Sequence, residues 1–152
     1  MILGKSKRPR IRVAGIVIES GRVLLIAHQK AGKVYWLLPG GGVEYTESLP
    51  DALAREFREE LQLDVQPGDI AFVSDSINPA SGRHVVNICF HCGKAGGRIT
   101  LGKDRRLHSY GFFTAEQVSH LTIFPPVNDE LVAALGRSSH GRVYLGARWM
   151  DL

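Results

Sequence analysis

The sequence predicts one α/β (α+β) domain, a mixed central sheet with helices packed on both sides. Three observations support this fold: two apolar runs near the N terminus have the pattern of a β-hairpin, an amphipathic helix follows them, and further strand-like runs precede two short helices. With 152 residues and 44% hydrophobic content, the chain can bury one core, and no linker-like run divides it. We expect a single domain over residues 1–152, with a core at about 11–135 and a C-terminal tail at 136–152.

The predicted strands are runs rich in Val, Ile, Leu and aromatic residues that end at Gly, Pro, Asn or Ser. The first two form a hairpin around Ser20 and Gly21, and the third leads into a glycine-rich turn. In chain order, strands are expected near 11–18, 22–28, 35–38, 69–76, 84–92 and 106–113, and short helices near 115–119 and 127–135. Residues 142–149 are expected to add an edge strand or a dimer contact.

The longest predicted helix covers about residues 48–61. Its only proline, Pro50, falls in the first turn, where the backbone N–H groups lack intrahelical partners and where Thr46 or Ser48 can cap them. At about 100° per residue, four apolar side chains form one stripe and three glutamates lie side by side along its flank. The stripe consists of Leu49, Leu53, Phe57 and Leu61, and the glutamates are Glu56, Glu59 and Glu60.

These three carboxylates are a candidate metal site. They repel one another by a few tenths of a kcal/mol per pair, so they are unfavourable unless cations compensate them. The string at 56–60 alone is typical of a solvated helix face, but a Leu-Pro-Gly-Gly-Gly stretch at 38–42 and Glu47 lie just upstream. Mg²⁺ and Mn²⁺ prefer oxygen ligands, and glycines let the backbone approach an ion or a phosphate closely. The pattern therefore predicts a metal-dependent phosphoanhydride hydrolase.

The distribution of charge agrees with a polyanionic substrate. The net charge is +4, but residues 44–60 hold six acids against two bases, and the rest of the chain holds nine acids against 17 bases. An acidic cation site in a basic body suits a nucleotide, although basic totals alone also suit nucleic acid.

The segment from Gly41 to Leu63 resembles the Nudix box. This motif is written G-x5-E-x7-R-E-U-x-E-E-x-G-U, where U is a bulky aliphatic or aromatic residue. Eight of the nine specified positions are filled, and Gln62 stands in place of glycine at the ninth. The matching residues are Gly41, Glu47, Arg55, Glu56, Phe57, Glu59, Glu60 and Leu63. The resemblance implies a Nudix-type α/β/α sandwich that cleaves a nucleoside diphosphate linked to a group X, with Mg²⁺ or Mn²⁺ as cofactor.

The same resemblance implies roles for individual residues. The implied metal ligands are Glu56, Glu59, Glu60 and the carbonyl of Gly40. Arg55 would orient a carboxylate through paired hydrogen bonds, and either Glu56 or Glu60 would act as general base. Glu47 and Gly41 would be supporting residues, and Glu47 would tie the loop to the helix.

Gln62 falls where the helix should end. A glycine there would allow a left-handed residue, and a side chain in the same conformation costs about 1 kcal/mol. Because none of the implied ligands is changed, we expect the chemistry to survive and only the exit of the helix to be affected.

The downstream loop also departs from the pattern of many Nudix relatives, which carry a further glutamate there. No glutamate occurs between Glu60 and Glu116, and Asp104 is the only acid in 98–110. This loop is either a solvated segment without a chemical role or a phosphate or ribose clamp in which Asp104 is an outer metal contact. The basic candidates for substrate binding are Arg83, Arg105 and Arg106.

The sequence defines the substrate less well than it defines the type of reaction. Pro79 follows Leu63 by 16 residues, which resembles the spacing in relatives that cleave ADP-ribose, although it also fits an ordinary turn. Phe124 is a candidate for stacking on a base. ADP-ribose or a related sugar nucleotide is therefore the favoured substrate. The alternatives are a nucleoside triphosphate, including an oxidised one, and a catalytically impaired nucleotide- or RNA-binding module.

Cys89 and Cys92 lie three apart on a predicted strand, so we expect them on opposite faces as core residues rather than as a metal or redox pair. Residues 1–10 lack the apolar core of a secretory signal, and no run approaches the roughly 18 apolar residues of a membrane span. We expect a cytoplasmic enzyme whose partner is a nucleotide, without membrane contact. Nucleic acid is not an expected partner, and a homodimer is left open.

Overall fold

A computed structural model of the chain describes residues 7–138 and 141–152. The strands are β1 Arg10–Glu19, β2 Arg22–Lys30, β3 Lys33–Leu37, β4 Gly40–Gly42, β5 Asp64–Ile77, β6 His84–Gly96, β7 Leu107–Phe113 and β8 Tyr144–Ala147. The helices are α1 Leu49–Leu61, α2 Ala115–His120 and α3 Asn128–Leu135. Within the described ranges, no helix has the length and apolar character that crossing a membrane requires.

The strands form one mixed sheet, which confirms the predicted fold class. The main path has the order β3-β2-β1-β6-β5-β8, while β4 pairs with β1 and β7 pairs with β2. β1 is parallel to β6 and β5 is parallel to β8, whereas the other pairs are antiparallel. β1 therefore lies inside the sheet, where its residues 13–17 are all buried.

The sheet carries a hydrophobic core on each face, because successive side chains of a strand point to opposite sides. Val13 of β1 belongs to the cluster that contains Phe57 of α1. Ile16 belongs to the other cluster, which contains Leu131 of α3. Both Phe57 and Leu131 are fully buried, and burial of such side chains contributes about 1.5–3 kcal/mol each. Helices thus cover both faces of the sheet, as predicted.

The helix α1 begins and ends near the predicted bounds. The Ser48 hydroxyl accepts a hydrogen bond of 3.3 Å from the Asp51 N–H, and Pro50 lies in the first turn. At the other end, Gln62 has φ 52° and ψ 35°, the left-handed conformation expected for this position. Its N–H donates to the Arg58 carbonyl at 3.0 Å.

The glycine-rich segment differs from its prediction as a turn, because Gly40–Gly42 forms the short strand β4. In this strand Gly41 lies opposite Val13 of β1. A Cβ atom on Gly40 would lie only 1.9 Å from the Val13 carbonyl oxygen. The absence of a side chain is therefore what allows these two backbones to pair.

The strand β5 also differs from its prediction, since it begins at Asp64 and not near residue 69. Pro67 and Gly68 lie inside it, and both residues normally weaken a strand prediction. The register with β6 shifts between Pro67 and Ile70, so these residues occupy an irregular part of the ladder.

The two cysteines lie on opposite faces of β6, as predicted. Cys89 is buried in the cluster under α3, whereas Cys92 packs against the cluster under α1. Both are free thiols. Burial raises the pKa of both thiols, that of Cys92 to about 12, so both stay protonated at neutral pH.

Within residues 142–149, the segment Tyr144–Ala147 forms the strand β8. β8 pairs with β5 at the end of the sheet, with Val73 opposite Tyr144 and Asp75 opposite Ala147. A dimer contact at this segment stays a prediction.

We predict that Gln62→Gly raises the free energy of unfolding by about 1 kcal/mol, because glycine adopts the left-handed conformation without the steric cost that a Cβ adds. Urea unfolding followed by circular dichroism measures the change. Gln66→Gly is the matched control, since Gln66 lies within a strand and glycine there should lower the stability. Equal or lower stability of Gln62→Gly would contradict the prediction.

Candidate active site

The strand β4 touches the glutamate face of α1 directly. The Gly40 N–H donates to Glu60 Oε1 at 2.8 Å. A Cβ atom on Gly41 would lie 2.3 Å from Glu56 Cδ and 2.4 Å from Glu56 Oε2. The glycines are therefore needed at this contact, because any side chain on Gly41 would displace the Glu56 carboxylate.

Arg55 connects the loop before α1, the strand β4 and the glutamates. Its guanidinium donates twice to Glu47, from Nε at 2.7 Å and from Nη2 at 2.9 Å. Nη1 donates to Glu56 Oε1 at 2.9 Å and to Glu59 Oε2 at 3.3 Å. Nη2 also donates to the Gly42 carbonyl at 3.0 Å. The planar guanidinium thereby fixes three carboxylates relative to one another.

Burial and hydrogen bonding give the glutamates of the site different pKa values. Desolvation raises the pKa of Glu60 to about 7, although nearby Arg12 and the Gly40 N–H oppose the shift. Desolvation also raises the pKa of Glu56, against the hydrogen bond from Arg55. The paired hydrogen bonds from Arg55 instead lower the pKa of Glu47 to about 2. Glu47 is therefore a firmly ionised structural partner, whereas Glu56 and Glu60 bear charge that the protein only partly compensates.

Arg12 of β1 is a site residue that the sequence analysis did not identify. Its Nη2 donates to the Leu38 carbonyl at 2.9 Å, and burial lowers its pKa against attraction from Glu60 and Glu56. A charged residue at the start of an apolar strand was the signal that could have found it. Arg12 therefore places a positive charge within electrostatic reach of Glu60 and Glu56.

The donor set fits a hard divalent cation. Across the part of the chain that the structure describes, no three carboxylate, imidazole or thiol groups already converge on one point. The donors at this position are nevertheless carboxylate oxygens, and two of the side chains, Glu56 and Glu60, are partly buried and have raised pKa values. The missing side chain of Gly41 keeps the space beside Glu56 free. Carboxylate oxygens are the ligands that Mg²⁺ and Mn²⁺ prefer, and the negative charge of these carboxylates is only partly compensated by nearby cations.

The glutamates form part of one wall of a cleft of about 1020 Å³. Several cations line the same cleft, namely Arg10, Arg12, Lys30, Lys33, Arg83, Lys103 and Arg106. Of the residues predicted to bind substrate, Arg83, Arg106 and Phe124 lie at the cleft, whereas Pro79 and Arg105 do not. Pro79 instead lies in an exposed turn that the Asn78 side chain closes by accepting from the N–H groups of Ala80 and Ser81.

The basic loop after β6 is docked on α1. The Thr100 N–H donates to the Leu61 carbonyl at 2.9 Å, and the Gly102 N–H donates to the Glu60 carbonyl at 2.7 Å. Asp104 lines the cleft and accepts from Arg106 Nη2 at 2.9 Å, and this hydrogen bonding lowers the pKa of Asp104. The loop is thus fixed beside the glutamates, which leaves a role for Asp104 at the metal as a proposal.

Other cleft residues come from distant parts of the chain and were also missed. His28 of β2 has a buried Nε2 for which the described residues provide no hydrogen-bond partner, and burial lowers its pKa. Residues 149–152 line the cleft from the C-terminal end. No local motif marks either feature, because both depend on which strands are neighbours in the sheet.

Comparisons with known proteins agree with the fold. Residues 8–135 match the family model of the NUDIX domain, and the chain therefore belongs to the NUDIX family. It is 31% identical over 99 residues to the ADP-ribose pyrophosphatase of Methanocaldococcus jannaschii, a match that covers 64% of this chain and 59% of that protein. It is 37% identical over 60 residues to the phosphatase NudJ of Escherichia coli K12, covering 40% of this chain and 39% of that protein.

The matches thus span less than two thirds of the length of these curated relatives. Among solved structures, a MutT NUDIX hydrolase from Burkholderia pseudomallei superposes with a TM-score of 0.72 at 25% identity. That superposition covers 82% of this chain and 96% of the other.

We predict that Gly41→Ala weakens Mn²⁺ binding by about 10- to 100-fold, because the new methyl group would displace the Glu56 carboxylate. Isothermal titration calorimetry measures the affinity, and circular dichroism checks the fold. Gly42→Ala is the matched control, since a Cβ there would meet only the flexible end of Arg10 at 3.4 Å. Equal affinities for the two variants would disprove the importance of this contact.

Proposed function

We propose that the protein is a Mg²⁺-dependent hydrolase that cleaves the phosphoanhydride bond of a nucleoside diphosphate linked to a group X. The observation that carries this proposal is the position of Glu56, Glu59 and Glu60, which lie together on α1, against the glycines of β4, in a cleft with several cations on its wall. Carboxylates for a metal and cations for phosphates are the two requirements of phosphoryl transfer.

The metal would be held by Glu56, Glu59, Glu60 and the carbonyl of Gly40, and Mn²⁺ could replace Mg²⁺. When bound, such an ion neutralises the charge of the diphosphate and of the leaving group. Arg55 holds Glu56 and Glu59 in place. Burial raises the pKa of Glu60 to about 7 in the metal-free protein and also raises that of Glu56. Both carboxylates are candidates to accept a proton from the attacking water.

We propose ADP-ribose, or a related sugar nucleotide, as the substrate. The similarity to the pyrophosphatase of M. jannaschii supports this choice, and so do Arg83 and Arg106, two cations at the cleft that can contact a diphosphate. Water would add to one phosphorus and the bridging oxygen would leave with the other, giving AMP and ribose 5-phosphate. A nucleoside triphosphate is the second candidate, since the similar MutT hydrolase has the same fold and the cations of the cleft also suit three phosphates.

We predict that hydrolysis of ADP-ribose needs Mg²⁺ or Mn²⁺ and that Glu60→Gln lowers kcat/KM by at least about 100-fold, because both the ligand charge and the proton acceptor are lost. Product formation is followed by chromatography, with and without a chelator. Glu116→Gln, at an exposed position in the first turn of α2, is the matched control. Undiminished turnover by a folded Glu60→Gln variant would overturn the assignment of the site.

We expect ADP-ribose to have a higher kcat/KM than any nucleoside triphosphate in a panel of nucleotides. The physical reason is that the second sugar of ADP-ribose can contact the cleft beyond the diphosphate, whereas a triphosphate offers only charge there. The panel is measured at one Mg²⁺ concentration with product identification. Faster turnover of a triphosphate would favour the second candidate, and tight RNA binding without hydrolysis of any nucleotide would favour a binding module.

A further inference from the structure

The C-terminal segment adds a wall to the cleft from outside the matched NUDIX domain. The family model ends at residue 135, yet residues 149–152 line the same cleft as the glutamates of the box. The segment is thus separate from the matched domain in sequence and continuous with it in space. A residue in this position can change substrate choice without altering the metal site.

Arg148 fixes the start of this segment against three different parts of the fold. Its Nη2 contacts Glu130 Oε1 at 2.6 Å, and Glu130 has only 4% of its area exposed. Its Nη1 donates to the Pro126 carbonyl at 3.0 Å, and its backbone N–H donates to the Asp75 carbonyl at 2.7 Å. An ion pair to a buried carboxylate together with two further hydrogen bonds gives the next residue, Trp149, a defined position.

Trp149 ends a row of aromatic side chains along the cleft. His28 and Tyr35 have ring centroids 5.9 Å apart, and Tyr35 and Phe124 have centroids 6.5 Å apart. The Phe124 and Trp149 centroids are 5.4 Å apart, with the planes at 86°. All four of these residues line the cleft. This perpendicular contact with Phe124 helps to hold the indole ring in place.

The surroundings of Trp149 differ from those of a core residue. It belongs to neither hydrophobic cluster, and its ring keeps partial exposure at the cleft. The indole N–H, its only hydrogen-bond donor, is already used by Asp151 Oδ1 at 3.0 Å within the same segment. What the side chain offers to the cleft is therefore a flat apolar ring in a fixed position.

We propose that Trp149 is a substrate-binding residue that stacks on the nucleobase of the substrate. This inference rests on the proposed function for the identity of the ligand as a nucleotide. Cations and carboxylates of the cleft suit phosphates and metal, whereas a nucleobase also needs a flat apolar surface. Trp149 and Phe124 provide such a surface, and either purine or pyrimidine bases can stack on it because every base has a flat face.

Fluorescence titration with products tests the stacking without any chemistry. AMP and ribose 5-phosphate share the phosphate and the ribose, but only AMP carries a base. In the presence of a chelator, AMP should quench the tryptophan emission, and ribose 5-phosphate should not. The Trp149→Phe variant retains Trp36, which packs on Phe113 in the core at 4.6 Å, and should lose the AMP response. Absence of quenching by AMP, or equal quenching by ribose 5-phosphate, overturns the proposal.

Steady-state kinetics provides the second readout. Trp149→Leu should raise KM for the nucleotide substrate by about tenfold and leave kcat within about twofold, whereas Trp149→Phe should keep KM close to that of the unaltered protein. Tyr110→Leu is the matched control, because Tyr110 is an exposed aromatic residue that does not line the cleft. An unchanged KM in Trp149→Leu overturns the proposal. If no nucleotide is hydrolysed but AMP still quenches Trp149, the proposed function fails and the stacking stands.

Discussion

Arg55 makes five hydrogen bonds with its guanidinium, and the arrangement of the acidic residues depends on them. Glutamates one turn apart on a helix repel one another, so their side chains would spread into solvent without a common cation. The rigid fork of Arg55 instead binds Glu47, Glu56 and Glu59, and it binds the backbone of β4 through Gly42. A lysine could not replace it, because an ammonium group has neither the planar geometry nor enough donors for these contacts.

Glutamate side chains at neighbouring positions of this site have different pKa values. Paired hydrogen bonds from Arg55 keep the pKa of Glu47 at about 2, whereas burial raises that of Glu60 to about 7. Arg12 and the Gly40 N–H oppose the second shift without cancelling it. The fold therefore compensates one carboxylate fully and leaves another short of positive charge. This difference distinguishes a supporting residue from a group suited to a metal or a proton.

The cleft combines parts with different origins in the chain. The helix α1 and the docked loop after β6 provide the carboxylates. Both lie inside the matched NUDIX domain, as does the glycine strand β4. The C-terminal segment lies outside that match and is fixed by Arg148, whose partner Glu130 is buried in α3. Because the two parts are separate in the sequence, a substitution in the C-terminal segment leaves the carboxylates themselves unchanged. The helix α3 thus supports the C-terminal side of the cleft through the contact between Glu130 and Arg148.

The sequence by itself determined the local features, because they depend on spacing along one helix or strand. The bounds of α1, the shared flank of Glu56, Glu59 and Glu60, and the left-handed residue at Gln62 all follow from a period of about 3.6 residues and from the allowed backbone angles. The tertiary structure alone decided which remote residues reach the cleft. It brought Arg12 and Trp149 there and kept Pro79 in a turn outside it, because the order of strands in the sheet, and not distance along the chain, sets these contacts.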